Sequence, residues 1–438
     1  MITISPGDVR EYLGKHILTD GYAPIVDLEK SHGSWLVDGR DGREYLDLFT
    51  MFASIPVGYN HPKLLEEKDR LATAALNKPT NSDIYTTQFA ECLETFFSTA
   101  IPDDFKYCFF VEGGALGIEN ALKASFDWKV RKNAESSSSG GSKVVHFKDC
   151  FHGRAGYTIS LTNTSDPRKT DHFPIFDWPR ISNPAVRFPL NQENLELTES
   201  LESAAIQEIE DTITKHGRDI AALIIEPIQG EGGDHHFRTE FLRSLRQICD
   251  ESEIMLIFDE VQTGMGLTGK WWAWENHGVA PDMMCFGKKT QVCGFVASPR
   301  LDEVEKHVFR ESSRINSTWG GNLTDMVRLT IYLNVIAEEN LVNRAAESGE
   351  YLMDGLIAIQ NEYKDLVSNA RGAGLMCAFD LPTQSLRDKV LDRIIDNGAI
   401  IMGSGVHTVR FRPPLNISTD EIDRGLSIVK KSLDEARG

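Results

Sequence analysis

Short apolar runs alternate with amphipathic stretches through the middle of the chain. Each run has four or five mostly apolar residues between polar flanks, a pattern typical of strands buried on both faces. The runs lie at residues 107–111, 143–147, 221–225, 254–258 and 283–286. Helical periodicity separates them, as in residues 118–132 and 240–249. This alternation predicts an α/β fold with a mostly parallel sheet that helices cover on both sides.

The two ends of the chain follow a different pattern. Residues 1–65 contain short alternating segments that predict a small sheet with one face in water. A long helical pattern fills about residues 324–365, and further segments follow it: strands at 375–379 and 409–411, and helices at 386–396 and 420–436. We predict a large domain over residues 66–323. Residues 1–65 and 324–438, the latter beginning with the long connecting helix, are expected to combine into one smaller domain.

Ionisable residues follow two of the predicted buried strands. Asp259 and Glu260 come after the run at 254–258, and Lys288 and Lys289 come shortly after the run at 283–286. The carboxyl ends of parallel strands meet at one edge of the sheet, where α/β proteins bind ligands. Taken alone, Asp259 is explained equally well as a helix cap, and either lysine as a surface cation. Together they suit pyridoxal phosphate, which needs an amine to carry it and an anion beside its ring nitrogen.

Two further turns are candidates for ligand contacts. A glycine-rich turn at residues 112–115 joins a predicted strand to a predicted helix, so free backbone N–H groups and the helix dipole could seat a phosphate. The sequence Phe151-His152-Gly153-Arg154 follows another strand. Its ring could stack on a flat cofactor and its guanidinium could clasp a carboxylate, although an ordinary polar turn explains the residues equally well.

Composition narrows the function further. The 438 residues are 41% hydrophobic and 25% charged, which is ordinary for a globular protein of two domains. A net charge of −19 argues against binding to nucleic acid, which needs a basic face. Seven scattered cysteines, the lack of metal-ligand spacing and the absence of a leader or membrane-length run favour a cytoplasmic enzyme without a metal site.

With these residues in place, the chain resembles the class III (ω-amino) aminotransferases, a branch of the fold-type I pyridoxal phosphate enzymes. The resemblance runs from about residue 17 to the last predicted helix. Its most specific blocks are LNKPTNSD (76–83), FVEGGA (110–115), FPIFDWPR (173–180), FGKKTQVCG (286–294), NSTWGGN (316–322) and VRFRPP (409–414). It implies a large domain with a mostly parallel seven-stranded sheet between helices, a smaller α+β domain built from both termini, and a homodimer with shared active sites.

The resemblance also implies roles for individual residues around the cofactor. Lys288 would form the Schiff base, a choice over Lys289 that rests on the family pattern. Asp259 would pair with the ring nitrogen. The other expected contacts are Gln262 to the ring hydroxyl, Phe151 over the ring, the N–H groups of Gly114 and Ala115 to the phosphate, and Thr318 to the same phosphate from a second subunit.

The blocks at 286–294 and 316–322 are nearest to family members that act on the ε-amino group of L-lysine. The implied reaction transfers this group to 2-oxoglutarate and gives 2-aminoadipate 6-semialdehyde and L-glutamate. Arg154 would bind the carboxylate remote from the reacting amine, Arg412 the α-carboxylate of the acceptor, and Asn316 would also contact substrate. An ornithine or 4-aminobutyrate donor is the nearest alternative, and an aminomutase, which needs no acceptor, is a more distant one.

One acid is expected to act as a movable counter-charge. 2-Oxoglutarate carries a carboxylate beside its reacting carbon, whereas lysine that reacts at its ε end carries none there. An unpaired arginine beside that apolar chain would be costly. Glu231, in the flexible turn at residues 230–233, is therefore expected to neutralise Arg412 during the lysine half-reaction, to swing away for the acceptor, and to take part in catalysis with Lys288 and Asp259.

Overall fold

The structure, a computed structural model, describes residues 3–437. Its α-helices are α1 (Val9–Gly14), α2 (Thr50–Ala53), α3 (Pro62–Glu66), α4 (Lys68–Leu76), α5 (Thr87–Thr99), α6 (Gly114–Glu135), α7 (Thr158–Leu161), α8 (Gln192–His216), α9 (Gly230–Gly233), α10 (Thr239–Glu251), α11 (Leu323–Glu338), α12 (Leu341–Glu362), α13 (Gln384–Asp396) and α14 (Thr419–Arg437). Short 3-10 turns, among them Pro167–Lys169 and Lys288–Thr290, lie between these elements.

The strands are β1 (Trp35–Val37), β2 (Glu44–Asp47), β3 (Tyr107–Val111), β4 (Lys143–Phe147), β5 (Arg180–Ile181), β6 (Ile220–Ile225), β7 (Ile228–Gln229), β8 (His235–His236), β9 (Met255–Asp259), β10 (Met283–Phe286), β11 (Cys293–Ala297), β12 (Ser368–Ala373), β13 (Met376–Asp380), β14 (Ala399–Ile400), β15 (Met402–Ser404) and β16 (Thr408–Phe411). All five strands predicted in the middle of the chain are present, with ends within one residue of the predicted ones.

A seven-stranded sheet forms the centre of the molecule, in the order β3-β11-β10-β9-β6-β4-β5. The neighbours from β10 to β5 are parallel, and β11 runs antiparallel to both β10 and β3. Every residue of β6, β9 and β10 is buried, because helices pack on both faces of the sheet. The predicted mostly parallel sheet is therefore confirmed. Strand β11 was not predicted.

Helix α6 lies against the strands closely enough to require glycine. A Cβ atom on Gly117 would stand 2.8 Å from the carbonyl oxygen of Gly294 in β11. The missing side chains let the helix pack directly on the sheet backbone. This contact fixes the N-terminus of α6 at the sheet edge where β9 and β10 end, so the packing positions the candidate phosphate seat.

The chain termini meet in smaller sheets. Strand β2 pairs with β1 on one side and, in parallel, with β14 on the other, so residues near both ends of the chain share a sheet. A separate antiparallel sheet has the order β12-β13-β16-β15. The predicted domain limits at residues 65 and 323 stay predictions.

The long connecting helix predicted over residues 324–365 is wrong as a single element. The structure has two helices there, α11 and α12, with Glu339 and Asn340 between them. Asn340 has φ 54°, in the left-handed region that breaks a helix and that asparagine adopts more readily than most residues. Helical periodicity on both sides of the break concealed it.

Candidate active site

A cavity of about 480 Å³ opens at the carboxyl ends of β9 and β10. It brings together seven of the predicted site residues: Gly114, Ala115, Phe151, Glu231, Asp259, Gln262 and Lys288. Five elements or turns that are far apart in the sequence contribute these side chains. The prediction that strand ends would gather the acid, the amine and the glycine-rich turn at one edge is met by this geometry.

Asp259 is the last residue of β9 and is 4% exposed. Its Oδ1 accepts the backbone N–H of Val261 at 3.1 Å, and its Oδ2 lies 2.8 Å from Nδ1 of His152. His152 also lines the cavity and is 1% exposed. The histidine fixes the orientation of the carboxylate, so Asp259 can present a negative charge to a ring nitrogen in the cavity.

The two adjacent lysines point in different directions. Lys288 lines the cavity and has φ 52°, a left-handed backbone conformation that is unusual for lysine. Lys289 is 2% exposed, and its Nζ donates to the carbonyl oxygen of Gln262 at 2.8 Å. This placement gives a physical reason, beyond the family pattern, to choose Lys288 as the amine of the site.

Burial lowers the pKa of Lys288, although the negative charge of Asp259 opposes this effect. A lysine with a lowered pKa carries a larger fraction of neutral amine, which is the form that attacks a carbonyl carbon or accepts a proton. The cavity therefore holds an amine whose surroundings favour its reactive form.

Helix α6 supplies the candidate phosphate seat. Gly113 precedes the helix with φ 96°, and the first N–H groups of the helix, from Gly114 and Ala115, come without partners from inside it. A Cβ on Gly114 would lie 2.9 Å from Cγ1 of Val261, so glycine keeps the turn close to the cavity wall. The helix has 22 residues, and its dipole adds to the attraction for an anion.

Glu226 follows strand β6 and joins two walls of the cavity. Its Oε1 accepts the N–H of Phe151 at 2.8 Å, and its Oε2 accepts the N–H of Gly230 at 3.2 Å. Burial, followed by the nearby charge of Asp259, raises its pKa well above the ordinary value. Glu226 thus positions both the ring of Phe151 and the turn that carries Glu231.

The predicted pairing of Glu231 with Arg412 is wrong. Glu231 Oε2 instead accepts from Nη2 of Arg410 at 2.8 Å. Arg412 is 1% exposed, its Nη1 donates to Asp234 at 3.0 Å and its Nη2 to Gln262 at 2.9 Å, so Asp234 already compensates its charge. Both arginines belong to the VRFRPP block, and no feature of that block distinguishes them before their partners are known.

Arg410 lies directly behind the cavity wall. Its two contacts there, Glu231 and Gln262, both line the cavity. Arg410 itself is 0% exposed, and its Nε has no hydrogen-bond partner within residues 3–437. Displacement of Glu231 would therefore open a buried, incompletely paired guanidinium to the cavity.

Glu231 is held by a second cation. Its Oε1 lies 2.8 Å from Nζ of Lys169. Burial raises the pKa of Glu231, but Arg410 and Lys169 outweigh this effect and the net shift is downward. The carboxylate therefore stays ionised at neutral pH. Lys169 was missed in the sequence because it lies in a polar, exposed-looking segment without a motif.

Besides Arg412, three predicted residues do not line the cavity of this chain. Arg154 is exposed in the turn after His152. Asn316 and Thr318 are exposed in the segment before α11, where the Thr318 carbonyl accepts from Oγ of Ser82 at 3.3 Å. The predicted roles of Arg154, Asn316 and Thr318 stay predictions.

The residues around the cavity fit pyridoxal phosphate. The start of α6 presents N–H groups without helical partners, a buried carboxylate backed by His152 lies at the sheet edge, and an aromatic ring and an amine complete the walls. This is the donor set that the cofactor requires. Within residues 3–437 there is no cluster of three or more His, Cys, Asp or Glu side chains that could hold a metal ion.

The comparisons agree with this geometry. Residues 18–433 match the family model "Aminotransferase class-III". The chain therefore belongs to the class III aminotransferase family, whose members use pyridoxal phosphate, and it has the fold-type I architecture of that family. The predicted family, fold and cofactor are confirmed.

Among curated relatives, the L-lysine-epsilon aminotransferase of Mycobacterium tuberculosis is 48% identical over 98% of this chain and 96% of its own length. The enzyme of the same name from Amycolatopsis lactamdurans is 46% identical, over 97% and 95% of the two chains. A solved structure of the M. tuberculosis lysine aminotransferase in the internal aldimine form has a TM-score of 0.96 and 47% identity, covering 99% of this chain and 100% of the other.

Proposed function

We propose that this enzyme transfers the ε-amino group of L-lysine to 2-oxoglutarate and forms 2-aminoadipate 6-semialdehyde and L-glutamate. The observation that carries the proposal is the ion pair between Glu231 and Arg410 behind the cavity wall. Lysine that reacts at its ε end has no carboxylate on its reacting carbon. The buried arginine near that carbon therefore needs a carboxylate from the protein, and Glu231 supplies it. The similarity to two L-lysine-epsilon aminotransferases over almost the whole chain supports the same donor.

The residues of the cavity would hold the cofactor at four points. Gly114 and Ala115 would donate N–H groups to the phosphate, Phe151 would cover one ring face, and Asp259 would hold the proton on the ring nitrogen. When bound, pyridoxal phosphate supplies an electron sink conjugated to the reacting carbon. Asp259 keeps that sink effective because its charge favours the protonated ring nitrogen.

Lys288 is proposed to have two tasks: its amine would hold the cofactor at rest, and the same amine would move a proton at the reacting carbon of the substrate. Its lowered pKa suits the second task, since a general base works best when its pKa lies near the operating pH. Its position at the sheet edge, on a strained backbone, keeps the amine pointing into the cavity.

Glu231 and Arg410 are proposed to adapt the site to two different substrates. With lysine bound at its ε end, Glu231 stays on Arg410 and the cavity wall is neutral. With 2-oxoglutarate bound, Glu231 moves aside and the α-carboxylate takes its place on Arg410. The buried Nε of Arg410, which has no hydrogen-bond partner in the described part of the chain, is an additional donor. Arg154 remains our candidate for the carboxylate at the far end, and Asn316 remains a candidate for contact with the substrate.

We further propose a homodimer in which each cavity is completed by the segment 316–322 of the partner. Exposed aromatic and aliphatic side chains near that segment support the proposal: Trp319 is 41% exposed, Tyr85 74% and Ile84 67%. Large apolar side chains clustered on a surface mark protein–protein contacts. Sedimentation that finds only a 49.0 kDa species at micromolar concentration would exclude the dimer.

We propose that the enzyme works in the cytoplasm. Its seven cysteines are free thiols, six of them buried, which suits a reducing compartment. Among the helices between residues 3 and 437, none carries an apolar stretch long enough to span a membrane. Fractionation that finds the protein outside the cytoplasm would overturn the assignment.

The proposed donor is tested by comparing L-lysine, L-ornithine and 4-aminobutyrate under one set of conditions with 2-oxoglutarate. We expect kcat/KM for lysine to exceed the others by at least about tenfold, the discrimination that about 1.4 kcal/mol provides. The aldehyde product should cyclise and react with an aromatic aldehyde reagent. A preference for either other donor, or repeated turnovers of lysine without 2-oxoglutarate, would refute the proposal.

The role of Glu231 predicts an unequal effect on the two half-reactions. Glu231→Gln cannot neutralise Arg410, so lysine conversion in single-turnover experiments should slow by at least about thirtyfold, because leaving a buried charge unpaired costs about 2 kcal/mol or more. The half-reaction with glutamate should change much less, because the α-carboxylate of glutamate pairs with Arg410. Equal slowing of both half-reactions would contradict the exchange of carboxylates.

A further inference from the structure

Glu231 is shared between two cations that approach it from different elements. Arg410 of β16 binds Oε2, and Lys169 at the end of the turn Pro167–Lys169 binds Oε1, both at 2.8 Å. Within residues 3–437, Arg410 and Lys169 are the cations in contact with this carboxylate. The side chain of Lys169 is 22% exposed, so this second ion pair is substantially shielded from water.

A second cavity of about 370 Å³ lies beside the first, and Glu231 lines both. Lys169 and Arg387 contribute to the walls of the second cavity. Arg387 is 7% exposed, and its Nη1 lies 3.4 Å and 3.3 Å from the carbonyl oxygens of Ser404 and Gly405. Nε of Arg387 donates to Asp388, which also lines this cavity, so the charge of Arg387 is compensated. The second cavity therefore offers a displaced carboxylate space, and Lys169 is the cation that stays with it.

The exchange of carboxylates on Arg410 creates an electrostatic problem for Glu231. Once a substrate carboxylate occupies Arg410, Glu231 keeps its negative charge but loses its deepest partner. Leaving a partly buried carboxylate without compensation is costly. Lys169 already holds the other oxygen of Glu231, so the displaced side chain can turn about that contact towards the second cavity and stay paired.

We propose that Lys169 is a positioning residue that retains Glu231 when 2-oxoglutarate occupies Arg410, and that it thereby sets the affinity for the dicarboxylate acceptor. This inference rests on the proposed function, because it requires two substrates that differ in the carboxylate beside the reacting carbon. With lysine bound, Arg410 alone still compensates Glu231. The loss of Lys169 should therefore weaken the binding of the acceptor and leave the lysine half-reaction unchanged.

The test is the variant Lys169→Met. Methionine keeps an unbranched side chain beside the ring of Phe151, whose centre lies 5.7 Å from Nζ of Lys169. We expect KM for 2-oxoglutarate to rise about tenfold, the effect of about 1.4 kcal/mol, while KM for lysine and kcat of the lysine half-reaction stay within about twofold. Calorimetry with glutarate, a dicarboxylate that cannot react, should show the same weakening of binding without any turnover.

Two further variants distinguish this role of Lys169 from a general effect of positive charge in the segment. Lys169→Arg should restore most of the affinity for 2-oxoglutarate and glutarate, because it restores the cation. Arg168→Met removes a positive charge one residue away, from a side chain that is 87% exposed and paired with Asp166, and should leave both affinities unchanged. A simple loss of local positive charge would affect both positions equally.

The outcomes separate the inference from the proposed function. A wild-type enzyme that does not convert lysine refutes the function, and the same comparison is then made with whichever ω-amine is the donor. If Lys169→Met weakens donor and acceptor equally, Lys169 binds the remote carboxylate directly and the inference is wrong. Unchanged affinity for glutarate in Lys169→Met overturns it as well.

Discussion

Lys288→Ala is expected to abolish turnover, with a loss of more than about 10⁴-fold, since general acid–base catalysis alone contributes up to about that factor. The variant lacks both the amine that carries the cofactor and the base that moves the proton. The purified protein should also lose the visible absorbance that a lysine-linked cofactor gives. Steady-state kinetics with lysine and 2-oxoglutarate and an absorption spectrum measure both effects.

The adjacent lysine provides the matched control. Lys289→Met removes the neighbouring amine, which belongs to a buried side chain that donates to the Gln262 carbonyl. This variant should keep the visible absorbance. The lost hydrogen bond should lower its free energy of unfolding by about 1 kcal/mol. Absorbance that survives in Lys288→Ala and disappears in Lys289→Met would show that the assignment of the two residues is reversed.

The second large effect is expected for Asp259→Asn, which should lower kcat by roughly 10²–10³-fold, as the loss of one preorganised electrostatic contact does. Asparagine fills the same space but cannot supply the negative charge that keeps the ring nitrogen protonated. The cofactor should remain bound, because the phosphate seat on α6 and Lys288 are unchanged. Half-reaction kinetics together with cofactor content per protomer give the measurement.

A buried carboxylate at the opposite edge of the same sheet controls for nonspecific damage. Asp282 immediately precedes β10, is 7% exposed and pairs with Arg246 and Arg300. Asp282→Asn should reduce thermal stability and leave kcat within about twofold of wild type, since the residue lies far from the carboxyl ends of the strands. If both variants lose activity equally, Asp259 has only a structural role.

Much of the fold followed from the sequence because its signals are local. Buried strands such as β3 and β10 are unbroken apolar runs, and helices such as α10 and α14 have clear periodicity. Strand β11 was missed because its sequence, CGFVA, is short and follows the polar segment KKTQ without a clear boundary. Its antiparallel direction depends on a tight turn after Lys288, which only the tertiary contacts define.

The candidate site was predictable where a residue type has a fixed relation to a strand end. Asp259 and Lys288 follow buried strands, and Gly114 opens a helix, so their meeting at one edge followed from topology. The choice of Arg412 over Arg410 failed because the two residues differ only in their partners. Asp234 pairs with Arg412, and no sequence pattern indicates this contact.

Other contributors depend on contacts between distant segments. His152 supports Asp259 across 107 positions of sequence, and Lys169 reaches Glu231 across 62. No sequence motif marks either contact, because each depends on how the loops at the sheet edge are arranged in the folded protein. A histidine directly after Phe151 was the one available hint. These residues surround the predicted ones and determine how they are oriented and charged, so the structure adds most to the account of specificity.

The most direct test of the central claim is to reduce the enzyme with borohydride while its cofactor is bound and then to map the modified peptide by mass spectrometry. Reduction converts the imine between lysine and cofactor into a stable bond. We predict a single pyridoxyl group on Lys288. A label on Lys289 or on any other lysine, or no label on protein that contains the cofactor, would contradict the account.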